Sequence, residues 1–313
     1  MKRTAFLGTA AGALAALAAT TPAAAETPFV VGSLSSAMDA AIYYPLQQGW
    51  FKAAGLDVTV QPISAGPVAM AGVVGGSMQT ADGNVLSLAV AHSKGIPVVL
   101  IAPGASWTSA PPTSAGLVAG PAVQSLKDLV GGTVAVPSLQ DLLTVSTKGF
   151  LDKNGVDSAS VHFIEIPPAS MPAALQAQRV TAIAVYDPFR SQALSQGGHM
   201  IGSPYISIAP SFLVTAFFAY QPWVDAHRQA TAAFGSVYAR GAAYTNLHHD
   251  ELIPLVSSYS HVSLDVLHQE IYAPVPPNGL DPAMIQPVID AAAKYHVIPR
   301  SFPAKDFIFS GGA

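Results

Sequence analysis

Val31-Gly32-Ser33-Leu34-Ser35-Ser36-Ala37-Met38-Asp39, then Ala40-Ala-Ile-Tyr43-Tyr44-Pro45-Leu-Gln-Gln-Gly49-Trp-Phe51, then Lys52-Ala-Ala-Gly55-Leu-Asp-Val-Thr-Val60 is the stretch that decides how the chain reads. It runs as an apolar strand, a polar loop, a helix with a glycine stop, and a second strand over residues 56–60. The helix returns the chain so that the second strand lies parallel beside the first, one β-α-β unit. Open α/β sheets bind ligands at the carboxyl ends of their strands. The loop 33–39 is therefore the first place to look for function, with Ser35, Ser36, Met38 and Asp39 as expected contacts.

Outward from this unit, short apolar runs alternate with helical stretches, the pattern of a parallel α/β architecture. Strands are expected at 96–101, 116–119, 133–136, 161–166, 182–185 and 214–220. Ser64-Ala65-Gly66-Pro67 opens a helix through residue 74. Thr80-Ala-Asp82-Gly-Asn84 reads as a turn feeding the helix 85–93, and residues 103–112 as a loop carrying Trp107. Ser138-Leu139-Gln140 opens a helix through residue 151, and Tyr186-Asp187-Pro188-Phe189 follows a strand. From residue 222 to 247 the pattern is one long helix with apolar positions at Val224, Ala230, Phe234, Val237 and Tyr238, followed by shorter helices near 251–260, 264–271 and 282–295. The expected division is lobe 1 from 26–115 with 213–313, whose C-terminal helices pack back onto it, and lobe 2 from 116–212.

The N-terminus reads as an export signal. Lys2 and Arg3 precede an alanine-rich apolar run over 5–19, and Ala23-Ala24-Ala25 is an A-x-A cleavage site, so the mature chain is expected to begin near Glu26. Loss of those two cations takes the formal charge from −4 to −6. An acidic protein with no basic run is a poor partner for nucleic acid. Only 10% of the 313 residues are charged and half are hydrophobic, yet no later apolar run approaches the ~20 residues of a membrane span. There is no cysteine, which removes disulfides, thiol chemistry and a lipid-modified cysteine anchor. The expected product is a monomer that diffuses in the periplasm, with no membrane insertion after signal cleavage.

Three segments resemble the solute-binding proteins of the NMT1/THI5-like family, the nitrate, sulfonate, taurine and pyrimidine-precursor type. They are Ala40-Ala-Ile-Tyr43-Tyr-Pro-Leu-Gln-Gln-Gly49-Trp-Phe51 with Gly55-Leu-Asp-Val58, then Leu126-Lys-Asp-Leu129-Val-Gly131-Gly-Thr-Val134-Ala-Val136, then Ala174-Leu-Gln-Ala-Gln-Arg-Val180-Thr-Ala182 with Val185-Tyr-Asp187-Pro188-Phe189. They stand in the family's order and spacing from about residue 30 to 243. Pro45, Arg179 and Thr181 depart from its pattern. The resemblance implies a type II periplasmic-binding fold: two α/β lobes with parallel-rich sheets, joined by a two-crossing hinge, with a solute held between them. It also implies the permease and ATPase of an ABC importer as partners.

The residues make their own case for a cleft. Helices are expected to begin after 33–39, at Ser64-Ala65-Gly66 and at Ser138-Leu139-Gln140, and helix N-termini offer unpaired N–H groups to an anion. Asp39, Asp82 and Asp187 stand at expected strand ends beside Asn84, and three carboxylates would repel a bare anion. They suit a ligand with an amine, an amidine or several hydroxyls; the alternative is that Asp39 and Asp82 cap helices and Asp187 holds a turn. Trp107 and Tyr186, with Tyr43 and Tyr44, are candidates to stack on a planar ligand. Arg190 is the one basic residue beside an expected cleft segment. No nucleophile elbow, phosphate loop or zinc-protease motif occurs, and the adjacent His248 and His249 point about 100° apart on a helix. The expectation is a receptor for a small organic solute with a polar or anionic group and a planar body, a sulfonate, carboxylate or heteroaromatic compound, with no catalytic residue, metal or cofactor. An exported enzyme using Asp39 or Asp187 as a base, and a ligand-sensing partner of a membrane receptor, are the alternatives.

Overall fold

β1 (Thr27–Ser33) buries Phe29 and Val31 completely and lies parallel to β2 (Leu56–Pro62), from Thr27 opposite Leu56 to Ser33 opposite Pro62. The β-α-β reading is thus realised, with the connecting chain folded as helices Ala40–Gln47 and Trp50–Ala53 and Gly49 left-handed between them at φ 68°. This is a computed structural model, and it describes residues 26–64, 66–110 and 113–310. The expected export signal over 1–25, its cleavage site and Ala65 lie outside the described residues.

The chain continues through β3 (Thr80–Asn84), β4 (Val98–Pro103) and the three-residue β5 (Ser106–Thr108). Then come β6 (Ala115–Ala119), β7 (Thr133–Val136), β8 (His162–Glu165), β9 (Ala182–Tyr186) and β10 (His199–Gly202). β11 (Ser211–Leu213) and β12 (Thr215–Tyr220) are the last strands. They form a sheet in the order β2-β1-β3-β12-β4 and a second in the order β10-β6-β9-β7-β8. In each, parallel neighbours are joined by antiparallel strands: β12 in the first, β6 and β10 in the second. Between the sheets, β5 pairs antiparallel with β11, Trp107 opposite Phe212, so the outward and return crossings lie side by side.

Four expectations are corrected. Residues 80–84 form no turn but a strand between β1 and β12, because two neighbouring ladders override the turn preference of Asp82 and Gly83. The loop of 103–112 contains β5, recruited by β11. The helix expected from residue 138 begins at Leu142, because the Asp141 carboxylate accepts from the Leu143 amide at 2.7 Å and takes the cap. The long helix of 222–247 divides at His227, whose φ of −130° and ψ of 39° separate Gln221–Ala226 from Arg228–Leu247.

The helix Arg228–Leu247 packs across the first sheet. Phe234 stacks on Phe29 at 5.0 Å, and Tyr238 meets Phe217 edge-on at 5.0 Å. Gly241 permits this helix to approach Ala40–Gln47: a Cβ there would collide with the Ala41 carbonyl oxygen and lie 2.6 Å from the Pro45 ring. That contact holds the start of the first helix, and with it Asp39. Gly241→Ala is expected to destabilise the protein by about 1–3 kcal/mol, as forced overpacking does, read as a lower midpoint in urea.

Candidate functional site

The loop after β1 folds back on its own carboxylate. Ser33 Oγ and the Ser36 amide each donate to Asp39 Oδ2 at 2.8 Å, and Ser36 Oγ stands 3.3 Å away. Ser35 makes the reversal at φ 57° and donates its amide to Ser33 Oγ at 3.0 Å. All three donors meet Oδ2; Oδ1 has no hydrogen-bond partner among the described residues. Asp39 is fully buried, and that burial, outweighing its hydrogen bonds, raises its pKa to about 6.

Asp82 lies in β3, 2% exposed. β1 and β3 pair with Gly32 opposite Ala81, so the next residues along the ladder are Ser33 and Asp82. The register thus brings the Ser33–Asp39 pair beside Asp82. Its Oδ1 is also without a partner. Burial and then the charge of Asp39 push the Asp82 carboxyl well above the usual range, against the Thr215 hydroxyl and the Gly83 amide, which favour the charged form.

A third unpartnered group comes from the helix Arg228–Leu247. Tyr238 is fully buried and its hydroxyl makes no hydrogen bond among the described residues. Burial, then Asp39, Asp82 and Tyr272, push its phenol well up. The sequence pattern counted Tyr238 as an apolar position of that helix. The signal available was that a buried tyrosine hydroxyl ordinarily finds a partner.

The second sheet contributes Tyr186 at the end of β9 and Asp141 at the cap of Leu142–Lys153. Burial raises the Asp141 carboxyl to about 6, and the Tyr186 phenol is raised by burial, Asp141 and Asp82, carboxylates of both halves. Ser87 Oγ on the first half reaches the Gln140 carbonyl at 3.5 Å. Ser138 Oγ accepts only a long 3.4 Å contact from the Gln140 amide, and the Leu139 amide donates to Glu165 at 2.7 Å while its side chain is 47% exposed.

The remaining expected contacts are placed as follows. Met38 is buried, its sulfur 3.5 Å from the Thr215 hydroxyl. Asn84 caps the helix Val85–Ser93, accepting from the Leu86 amide at 3.0 Å. Ser64 and Gly66 are exposed at the start of Gly66–Val74. Trp107 reads from the sequence as part of a loop. It is 3% exposed and packed between Tyr205 and Phe212, because β5–β11 pairing supplies a core that a loop would not. Asp187 is held inside the protein: Oδ2 accepts from Arg190 at 2.9 and 3.1 Å and from the Ile271 amide at 3.1 Å, and Oδ1 from Ser191 twice.

Two further features had no sequence signal. Glu270, in the segment that reaches Asp187, has its carboxyl raised to about 8 by burial and by Asp187. Tyr259 stacks on Tyr43 at 4.0 Å and donates to the Ser36 carbonyl at 2.8 Å, so the helix His249–Ser260 clamps the 35–39 loop. Among the described residues no group of three His, Asp or Glu side chains is arranged to hold a metal ion.

Two substitutions separate these carboxyls. Asp187→Ala strands a buried Arg190 and is expected to lose about 3–5 kcal/mol of stability, measured by chemical denaturation. Asp39 behaves oppositely. The folded chain keeps its proton up to about pH 6, whereas the unfolded chain releases it near 3.8. Stability therefore falls as pH rises through that window, by roughly 1.4 kcal/mol per pH unit for this one group. Denaturation of Asp39→Asn across pH 4 to 7 is expected to show a shallower fall than the parent.

Comparison with known proteins places this geometry. The structure is similar to the ligand-binding component of an ABC-type import system from Staphylococcus aureus with zinc bound, at 16% identity and a TM-score of 0.75, covering 91% of this chain and 97% of that one. It is similar to the periplasmic nitrate-binding protein NrtA from Synechocystis, at 16% identity and TM-score 0.73, over 90% of this chain and 84% of that one. It is also similar to the periplasmic aliphatic sulphonate-binding protein SsuA from Escherichia coli, at 16% identity and TM-score 0.72, over 90% and 97%. Such identities establish the fold, a type II periplasmic-binding fold. No curated protein matches the sequence significantly. The family model described as NMT1/THI5 like matches residues 37–251, more than two thirds of the chain, and the protein belongs to that family.

Proposed function

We propose that this protein is the extracytoplasmic solute-binding receptor of an ABC importer. The observation that carries the reading is that groups of the two halves approach one another, Ser87 Oγ of the first reaching the Gln140 carbonyl of the second at 3.5 Å and Asp82 and Asp141 both acting on Tyr186, while the paired strands β5 and β11 join the halves. A small molecule held there touches both halves. Closure about the crossings then presents one continuous surface, which is how hinged binding proteins report occupancy. The lobes that move are residues 26–115 with 213–310, and 116–212.

The similar proteins support the reading by what their names state: an import-system component, a sulphonate-binding protein and a nitrate-binding protein. The partners are then a permease and its ATPase, and the place of work is the periplasm, reached through the N-terminal signal and occupied as a monomer. No bond of the solute is made or broken. Asp39 and Asp82 act as binding groups, and Ser35, Ser36, Met38 and Tyr186 shape the pocket around them.

Native mass spectrometry of the purified mature chain, followed by release of any bound molecule, tests this. The expected result is one small molecule per chain, released unchanged after prolonged incubation. Its conversion to another compound overturns the receptor reading.

A further inference from the structure

Three polar atoms without a partner among the described residues lie in the core of the first half: Asp39 Oδ1, Asp82 Oδ1 and the Tyr238 hydroxyl, on residues that are 0%, 2% and 0% exposed. They arrive from three elements, the loop after β1, the strand β3 and the helix Arg228–Leu247. The β1–β3 register fixes the first two side by side, and Tyr238 lies over Phe217, the cross-strand partner of Asp82. Folded proteins seldom leave such atoms unsatisfied. Two are carboxylate acceptors and the third a hydroxyl able to donate or accept, so what satisfies them must bring hydrogens.

We propose that Asp39, Asp82 and Tyr238 receive the ammonium or amidinium head of an organic cation, so that the solute is positively charged and not a sulfonate or nitrate. This rests on the receptor reading above and names its substrate class.

The surroundings agree on sign. No lysine or arginine is among the groups that act on Asp39 or Asp82. Asp39 is faced by Asp82, Tyr43, Tyr238 and Tyr259, and Asp82 by Asp39, Tyr186 and Tyr238. Beyond them stand Asp141, Glu270 and Tyr272. Arg190 is spent on Asp187. An anion entering here would meet carboxyls and find no cation, whereas a cation would meet two acceptors and the faces of tyrosines. The absence of a three-ligand cluster among the described residues favours an organic head over a bare metal ion.

Proton balance supplies a signature. Two close buried carboxyls hold a proton between them when nothing else neutralises them. A cation that pairs with both displaces it, so binding releases a proton; an anion would draw one in.

The test uses the mature chain with four probes at pH 8: ethylammonium, benzamidinium, ethanesulfonate and nitrate. The two cations are expected to raise the thermal midpoint and to release protons in calorimetry repeated in buffers of different ionisation enthalpy. The two anions are expected to do neither. Asp82→Asn is expected to abolish the cation response while raising the midpoint of the empty protein, because one buried carboxyl is relieved. Asp39→Asn serves if the first variant does not fold. Stabilisation by either anion, no response to either cation, or a cation response that survives in the variant overturns the inference. Recovery of an anionic molecule by native mass spectrometry also overturns it while leaving the receptor reading intact. Turnover of a bound cation strikes the receptor reading and leaves the charge assignment standing.

Discussion

A carboxylate in an inner strand of a five-stranded sheet, 2% exposed and facing no cation, is the constraint around which the first half is arranged. Burying an unpaired charge is so costly that the group ordinarily takes up a proton instead. Burial pushes the Asp82 carboxyl well up in that direction, and the neighbouring Asp39 adds to the pressure. The protein does not relieve the strain with a lysine or an arginine. It surrounds the pair with hydroxyls, from Ser33, Thr215 and Tyr238, that leave each carboxyl one open acceptor. Such an arrangement lowers the stability of the empty protein and reserves binding energy for whatever completes it.

Asp82 also acts on the second half. Asp82 acts on Tyr186 from the first sheet and Asp141 acts on it from the second, so the field of the site spans the cleft. Asp187 belongs to a different circuit. Its ties to Arg190, Ser191 and Ile271 fasten the C-terminal strap to the second half. The strap is also fixed at the crossings, where the Ser106 amide and hydroxyl donate to the Pro274 carbonyl at 2.9 and 2.7 Å. Three carboxylates that look alike in sequence therefore divide into two that stay open and one that is fully engaged.

Membership in a family whose structural relatives bind sulphonate or nitrate does not carry their ligand across. Those relatives share about one residue in six with this chain, a likeness that establishes the fold alone. The strand order keeps the place of the site, at the carboxyl ends of β1 and β3. Under the proposal made above, the side chains placed there set the sign of the charge it accepts.

What the sequence by itself determined was local and periodic. The 31–60 stretch specified a parallel pair joined by a helix, since apolar strands and a glycine stop leave few alternatives, and Asp39 stood out as a lone carboxylate in a serine-rich loop. Tertiary structure decided the rest. Thr80-Ala-Asp82-Gly-Asn84 became a strand because β1 and β12 flank it, against its turn-like composition. Trp107 became core because β11 pairs with β5 across a hundred residues. Tyr238 became a polar member of the site because its helix crosses β12, and periodicity reports which face is buried, not which buried hydroxyl lacks a partner. Hydrogen-bond satisfaction and the proximity of charges belong to pairs of residues distant in the chain, so only the folded arrangement could set them.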